Sequence, residues 1–203
     1  MDNIPITQVD AVLLLDDRGE RIAVKYYPQH CPLAANEAAP KCPWETLDKQ
    51  KAFERSLAKE VEADGVRGRL CSREMASNAE GDSGCRVVGG HLVNYRMASD
   101  FCIFVVGPSK ENELLLADVG STVMRCLVGI TGDDLQKETL FNKLDCVFLL
   151  LDDVVDGGIV MENDPNVILK RIKSRGGEGS DHVPLNQTIY NLRNNVIRSL
   201  LNS

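Results

Sequence analysis

Two strand–turn–strand patterns, separated by a helical segment, allow this chain only a few folds. Residues Val9 to Leu15 form an apolar run, and Arg21 to Tyr27 alternate between apolar and polar side chains beyond an Asp-Asp-Arg-Gly turn. A second hairpin is predicted from Val87 to Arg96 and Phe101 to Val106. Between the hairpins, Leu47 to Glu62 have apolar positions at helical spacing. Because the strands of a hairpin pair antiparallel, this order predicts an α+β fold built on an antiparallel sheet.

Helical patterns dominate the chain after the second hairpin. Ser109 is predicted to cap a helix whose apolar face runs from Leu116 to Ile130. Apolar residues from Leu140 to Val154 predict one continuous helix, which ends near the glycines at 157 and 158 in a C-cap followed by a tight turn. A short helix is predicted from Pro165 to Arg175, since proline suits the first helical position.

The length of 203 residues fits one domain with insertions and a tail. We predict a domain over residues 1–175, with exposed insertions at about 28–46 and 64–85, where prolines or small and charged residues replace the apolar pattern. Residues 176–203 are predicted to form a glycine-rich linker and a last amphipathic helix from Leu185 to Leu201. That helix either packs on the core or docks on a partner.

Charge and cysteine content argue against several classes of protein. A net charge of −7 disfavours binding to duplex nucleic acid or direct docking on anionic lipid. No run reaches the length of about 18–20 apolar residues that spans a bilayer, so direct membrane insertion is not expected. The seven cysteines include no CxxC pair, which disfavours a zinc ribbon and favours a reduced cytosolic setting.

Catalytic motifs are missing from the sequence, which predicts a protein that is not an enzyme and needs no cofactor. None of His30, His91 and His182 lies in a recognisable nucleophile motif, and each is interpreted as an ordinary strand or loop residue. A thiol-dependent enzyme is a rival hypothesis. It would require Cys126 or Cys146 to be exposed with a lowered pKa, whereas both lie in apolar helical patterns.

An acidic cluster follows the helix predicted to end near residue 154. Asp152, Asp153 and Asp156 could in principle hold Mg²⁺, but the sequence has no Walker or GxGxxG loop to hold phosphate. We interpret the three acids as solvent-facing residues around a helix end. An acid near a helix C-terminus is mildly unfavourable, so a basic partner group could compensate Asp156.

Four segments together resemble one known family. VLLLDDRGERIAVKYY, KQKAFE, FVVGPSKENELLL and LDDVVDGGIVMENDPNVILKRI are similar to the zeta subunits of coatomer, the coat of COPI vesicles, and more weakly to the sigma subunits of clathrin adaptors. The resemblance implies a longin-like five-stranded antiparallel sheet flanked by helices and a non-enzymatic role. It also implies pairing with the gamma coatomer subunit, and recruitment of the complex to Golgi membranes by an Arf-type GTPase for retrograde transport. A sigma-type adaptor subunit or another longin-fold trafficking module is the alternative.

The segment from Leu140 to Pro165 is the predicted partner surface, because it is apolar yet contains no catalytic group. The partner-binding residues predicted within it are Leu151, Val154, Val155, Asp156 and Ile159. In adaptor sigma subunits an arginine on the second strand helps to bind acidic dileucine signals. Apolar Ile22 stands at that position here and Arg21 lies one residue away, on the opposite sheet face, so dileucine recognition is not expected.

Overall fold

A five-stranded antiparallel sheet forms the centre of the molecule. The computed structural model describes residues 8–27, 44–63, 83–132 and 134–176. The strands lie in the order β2-β1-β5-β4-β3, so that β2 and β3 form the two edges. Their bounds are β1 Ala11–Asp16, β2 Arg21–Tyr26, β3 Ser83–Val88, β4 His91–Met97 and β5 Phe101–Pro108. The predicted α+β class and five-stranded sheet are confirmed.

The second hairpin contains one strand more than the prediction gave it. We predicted one strand from Val87 to Arg96, but Gly89 and Gly90 form a turn with φ of 59° and 84°, and β3 and β4 pair across it. Glycine adopts this left-handed conformation without steric cost, so the pair makes a tight two-residue turn. Since β3 begins at Ser83, the predicted insertion at 64–85 extends too far at its end. Its residues 64–82 lie outside the described part of the chain, as do residues 28–43.

Helices cover both faces of the sheet unequally. Helix α1 packs on one face, and helices α2, α4 and α5 pack on the other, with the short α3 between α2 and α4. Their bounds are α1 Leu47–Ala63, α2 Glu113–Thr131, α3 Lys137–Asn142, α4 Leu144–Val154 and α5 Pro165–Gly176. The predicted tail helix after residue 176 lies outside the described residues, so the division of the chain at that point stays a prediction.

The single helix predicted from Leu140 to Val154 is wrong, because the backbone breaks at Lys143. This residue has φ −128° and ψ 29°, which separates α3 from α4. Its ammonium group Nζ donates a hydrogen bond of 2.6 Å to the carbonyl oxygen of Ile130 in the last turn of α2. A cation there satisfies an end carbonyl and interacts favourably with the helix dipole.

The predicted cap of α2 is also displaced. Asn112, not Ser109, is the N-cap, and its side-chain oxygen accepts a hydrogen bond of 3.0 Å from the N–H of Leu114. The N–H of Glu111 donates to the carbonyl of Pro108, so that a turn occupies the residues on either side of Ser109. Both residues are good caps by type, and the turn decides between them.

Two apolar clusters fill the space between the sheet and its helices. The larger combines one sheet face with α2, α4 and α5, and includes Val12, Leu14, Ile103, Leu127, Leu150 and Ile168. The smaller combines the other face with α1, and includes Leu13, Leu15, Leu57, Val93 and Phe104. Strand alternation explains the division, since successive side chains of β1 point to opposite faces.

The expectation that no apolar run is long enough to span a bilayer is wrong for helix α2. By length and composition it is apolar enough to cross a bilayer. Its buried side includes Leu116, Val123 and Leu127, and it contacts β4, β5, α4 and α5. These contacts assign α2 to the core, which explains its apolar composition without a membrane.

Candidate partner-binding surface

A two-stranded hairpin projects directly from the end of α4. Strands β6 (Val155–Asp156) and β7 (Ile159–Val160) pair around Gly157 and Gly158, whose φ values are 55° and 82°. The predicted helix C-cap at this glycine pair is therefore wrong. The helix ends at Val154, and the two glycines make the tight turn of the hairpin, because a two-residue turn of this kind needs positive φ at both positions.

The hairpin has a buried face and an exposed face. Val155 and Val160 are opposite each other and pack against the larger apolar cluster. Asp156 and Ile159 form the other pair and are exposed, with 43% of Ile159 accessible. Met161 is 62% exposed and follows Ile159 by two residues, which places it on the same side of an extended chain. We call Asp156, Ile159 and Met161 the hairpin surface.

Main-chain contacts hold this hairpin against the sheet. The N–H of Val9 donates a hydrogen bond of 2.8 Å to the carbonyl of Gly158, and Gln8 forms a bridge with Ile159. A Cβ added at Gly158 would lie 2.9 Å from the carbonyl oxygen of Val9. The chain therefore needs glycine here both for φ and for the close approach of the two backbones.

The segment after the hairpin is tied to α2 by side chains. The hydroxyl of Thr122 donates a hydrogen bond of 2.6 Å to Asn163 Oδ1, and Asn163 Nδ2 donates to Asp118. The carboxylate of Glu162 accepts hydrogen bonds from the N–H groups of Asn163 and Asp164. These bonds hold the chain just after Met161, and the bond from Val9 to Gly158 holds it before Met161.

The structure separates the five predicted partner-binding residues into two groups. Leu151, Val154 and Val155 are each at most 1% exposed and pack within the chain's own core. Asp156 and Ile159 lie on the hairpin surface. Contact with a partner remains a prediction for these two, whereas the three buried side chains support the surface from beneath.

Sequence reasoning missed several exposed apolar residues nearby. Phe141, Phe148 and Met161 are between 40% and 62% exposed. Phe148 follows buried Val147 and so lies off the buried helical stripe, a position that would have revealed it as a surface residue. One turn later, Asp152 forms an ion pair with Lys25 of the edge strand β2. The outer side of helix α4 thus carries an exposed aromatic ring and an ion pair.

The acidic cluster does not have the arrangement expected. Asp153 is 9% exposed, not solvent-facing, and its Oδ1 accepts a hydrogen bond of 2.9 Å from Arg175. Asp152 pairs with Lys25, and Asp156 lies on the hairpin surface. Among the described residues, no group of three or more His, Cys, Asp or Glu is arranged to hold a metal ion. Asp152 and Asp153 therefore serve ion pairs, and Asp156 is exposed.

The two thiols of the rival hypothesis, Cys126 and Cys146, lie in packed surroundings. Cys126 is fully buried, and this burial, with a smaller contribution from Asp164, raises its pKa to about 12. A thiol with so high a pKa is almost entirely protonated at neutral pH and is a poor nucleophile. Cys146 is partly buried and packs against the larger apolar cluster. The thiol-enzyme hypothesis is therefore wrong for Cys126 and has no support at Cys146.

Strand β2 shows what occupies the position of the adaptor arginine. Ile22 is 6% exposed within the larger apolar cluster. Arg21 points to the opposite face, where its guanidinium donates hydrogen bonds of 2.9 and 2.7 Å to the two carboxylate oxygens of Glu54. The Tyr26 hydroxyl also donates to Glu54, at 2.7 Å. The guanidinium of Arg21 is thus bound to Glu54 of α1, which is consistent with the expectation that this arginine does not bind dileucine signals.

An aromatic group closes the α1 side of the sheet. His91 lies at the start of β4, with its Nδ1 3.1 Å from Asp10 Oδ2 and its ring centroid 4.5 Å from that of Trp44. Trp44 also contacts Tyr26 and Phe53 and is 6% exposed. The predicted exposed insertion at 28–46 is therefore wrong at its end, because Trp44 belongs to the core.

Comparisons with known proteins agree with this geometry. The family model described as clathrin adaptor complex small chain matches residues 8–178. Coatomer subunit zeta-1 of Oryza sativa subsp. japonica is 31% identical over 204 residues, covering 99% of each chain. Coatomer subunit zeta-1 of Homo sapiens is 28% identical, covering 88% of this chain and 82% of its own length.

Structural similarity supports the fold. A chain in a homology model of the full-length AP-3 complex, in a stretched open conformation, matches with a TM-score of 0.52 and 18% identity. The match covers 85% of this chain and 97% of the other. At that identity the similarity bears on the fold alone, and it confirms the longin-like arrangement of sheet and helices. The sequence matches extend over nearly the whole chain, and on their strength the protein belongs to the clathrin adaptor complex small chain family, in its coatomer zeta branch.

Proposed function

We propose that the protein is the non-catalytic small subunit of a COPI coatomer and pairs with the gamma subunit in the coat. The observation that carries the proposal is the near-complete match to coatomer zeta chains, at 31% identity over 99% of the sequence. A non-catalytic role fits two features of the residues once considered for chemistry: Asp152 and Asp153 form ion pairs, and the buried thiol of Cys126 has a raised pKa.

The hairpin surface is the proposed contact with the gamma subunit. It combines two exposed apolar side chains, Ile159 and Met161, with the carboxylate of Asp156. Apolar side chains at the centre of an interface with charged neighbours at its rim are the usual composition of stable contacts between subunits.

In this proposal the protein acts at the Golgi membrane without inserting into it. The coat is recruited from the cytoplasm by an Arf-type GTPase and serves retrograde Golgi-to-ER and intra-Golgi transport. The net charge of −7 supports indirect recruitment, because an acidic chain is repelled by anionic lipid.

A sigma-type subunit of a clathrin adaptor is the second candidate. It is favoured by the name of the matching family, clathrin adaptor complex small chain. Both candidates share the fold, so only the large-chain partner separates them.

Co-expression tests both candidates directly. The full chain is co-expressed with a gamma-coatomer trunk and, separately, with adaptor large-chain trunks, and each mixture is analysed by size-exclusion chromatography with light scattering. We expect a one-to-one complex with the gamma trunk alone. A complex with an adaptor trunk alone would favour the hypothesis of a sigma-type subunit. A monomer in all mixtures would contradict both hypotheses.

Two substitutions locate the contact within that complex. Ile159→Asp and Met161→Asp place charge on the hairpin surface and should weaken the gamma complex by about tenfold or more, because a charge is then desolvated without a partner. Val87→Asp is the matched control, since Val87 is 64% exposed on β3 at the other end of the sheet. Equal weakening by all three would argue against the hairpin surface as the contact.

A further inference from the structure

The helix α5 carries a concentration of positive charge that contrasts with the acidic chain around it. It contains four basic residues and no acidic residue, whereas the whole chain has a net charge of −7. The four are Lys170, Arg171, Lys173 and Arg175. Successive residues of a helix are rotated by about 100°, so these four side chains are spread across the exposed surface of α5.

Packing determines how these cations are presented. Ile168 and Ile172 are buried in the larger apolar cluster and fix the inner face of α5. Lys170 and Lys173 are exposed, with Lys170 almost opposite the buried pair at 100° per residue. Lys173 lies in the last turn, where the helix dipole favours a cation. The sequence therefore places these ammonium groups outward.

The two arginines of α5 are partly neutralised by carboxylates of the chain. Arg171 pairs with Glu162 at 3.3 Å, and Arg175 pairs with Asp153 at 2.9 Å. The arginine side chains nevertheless remain 46% and 53% exposed. Within the part of the chain that the structure describes, neither lysine forms an ion pair.

We propose that the outer face of α5, centred on Lys170 and Lys173, binds an acidic segment of a partner protein. Charge complementarity carries this assignment. Two cations that have no ion-pair partner among the described residues, flanked by two half-exposed arginines, can be neutralised by carboxylates of another protein, and such pairs direct association and register. The inference does not rest on pairing with a gamma subunit, because it concerns a different element from the hairpin surface.

A protein segment fits this face better than a membrane does. A flat anionic membrane would meet the field of the whole acidic chain, including Asp118 and Asp164 near the first turn of α5. At physiological ionic strength these charges act over about 8 Å, so acids beside the helix still oppose a broad negative surface. A narrow peptide can follow the outer face of α5 and avoid them.

Fluorescence anisotropy on the full chain tests the proposal. The probe is a fluorescein-labelled synthetic peptide in which Glu alternates with Ser, and the uncharged control peptide replaces each Glu by Gln. We expect the Glu peptide to bind, the Gln peptide to bind at least about tenfold more weakly, and added salt to weaken the Glu peptide. The double variant K170E/K173E should lose at least about tenfold in affinity, because like charges then face each other.

The variant K51E/K59E is the matched control. Lys51 and Lys59 are exposed on α1, on the other side of the sheet, and the substitutions change the net charge by the same amount. It should retain the affinity of the unaltered chain within about twofold. Equal losses in both variants, or no binding of the Glu peptide at low salt, would overturn the proposal.

Vesicle sedimentation separates the membrane alternative. Phosphatidylcholine vesicles containing phosphatidylserine should leave the chain in the supernatant under the conditions of peptide binding. Sedimentation that K170E/K173E abolishes would overturn the proposal in favour of a lipid surface. Circular dichroism melting of each variant establishes that the exposed substitutions leave the fold intact.

Discussion

The two faces of the sheet are covered by different kinds of packing. On the α2 side, three helices bury a large apolar cluster that contains Leu127, Leu150 and Ile168. On the α1 side, one helix covers a smaller cluster, and a buried charge lies within the contact: Glu54 is 2% exposed and accepts hydrogen bonds from Arg21 and Tyr26. The α2 side is held mainly by apolar area, with Asp153 paired to a half-exposed arginine. The α1 side is held by apolar area together with a more deeply buried ion pair.

This difference predicts different responses to mutation. Loss of apolar side chains costs the transfer free energy of the missing atoms and the free energy of the cavity, and both grow with the volume removed. Loss of one member of a buried ion pair leaves the other charged and desolvated, so a small chemical change has a large cost. If the two faces differ in this way, single substitutions on them should lower the free energy of unfolding by different amounts.

The largest effect is expected in the centre of the apolar face. Leu151→Ala should lower the free energy of unfolding by about 3 kcal/mol, the usual cost of a Leu-to-Ala cavity in a well-packed core. Leu151 is 1% exposed, and every atom removed was in contact with the core. Urea denaturation followed by circular dichroism measures the change.

A substitution on the outer side of the same helix is the control. Phe148→Ala removes more atoms, but Phe148 is 40% exposed, and the cost should stay near about 1 kcal/mol. An equal cost for the two variants would show that α4 is covered on both sides in the isolated chain. That result would contradict the assignment of Leu151 to the core and of Phe148 to the surface.

The buried pair on the α1 face should give the second largest effect. Glu54→Gln keeps the shape of the side chain but removes the charge that faces Arg21. We expect a loss of about 2 kcal/mol in the free energy of unfolding, below the usual 3–5 kcal/mol for a broken buried pair, because the Arg21 side chain is 27% exposed and can reach water. The same urea experiment measures it.

A double-mutant cycle isolates the pair itself. If Arg21 and Glu54 stabilise each other, the double variant R21M/E54Q should be more stable than the sum of the two single losses predicts. The removal of both charges leaves no desolvated ion behind. Additive losses would mean that the α1 face depends on apolar area alone, and the contrast between the faces would disappear.

The strands and most helices could be predicted from the sequence, because period-two and helical patterns reflect direct burial. Strands β1, β2 and β5 follow such patterns, and so does the buried stripe of α4. The breaks were harder to predict. Lys143 interrupts a continuous apolar pattern for a contact with Ile130 that lies thirteen residues back in the chain. The glycines at 157 and 158 match a helix cap as well as a hairpin turn, and only the close approach of Val9 distinguishes the two.

The candidate surface was less predictable than the fold for the same reason. Leu151, Val154 and Val155 match both a core and an interface by residue type, and burial alone separates these roles. Trp44 lies at the end of a proline-rich segment, where composition predicts exposure, yet its ring packs between Phe53 and His91. Contacts between residues distant in sequence decide both cases, and local patterns do not include them.

The hairpin of β6 and β7, which is hydrogen-bonded to Val9 just before β1, should give the third effect. Gly158→Ala meets both a φ of 82° and a carbonyl oxygen 2.9 Å from the new Cβ. We expect a loss of about 1.5 kcal/mol in the free energy of unfolding. Gly157→Ala is the control, with φ 55° and no atom within 4 Å of the new Cβ, and should cost about 1 kcal/mol. A larger cost at Gly157 would contradict the close packing of the hairpin on β1.

The smallest effect concerns an ion pair at the margin of the sheet, and pH reveals it. Burial alone would raise the pKa of Asp16, but the hydrogen bonds from Lys137, at 2.7 Å, and from the N–H groups of Glu20 and Arg18 outweigh burial and hold this pKa below 3.8. A carboxyl with a lowered folded pKa stabilises the fold above its unfolded pKa, and this stabilisation is lost as pH falls through the folded value.

Lys137→Met should therefore be less stable than the unaltered chain at neutral pH, and this gap in the free energy of unfolding should close as pH falls below about 4. Urea midpoints measured from neutral pH to about pH 2 follow the gap. Lys143→Met is the control, because Lys143 donates to a carbonyl that does not titrate, and its gap should stay constant. A constant gap for Lys137→Met would show that this ion pair adds nothing to stability, and that the Arg21–Glu54 pair of the α1 face differs from it in kind.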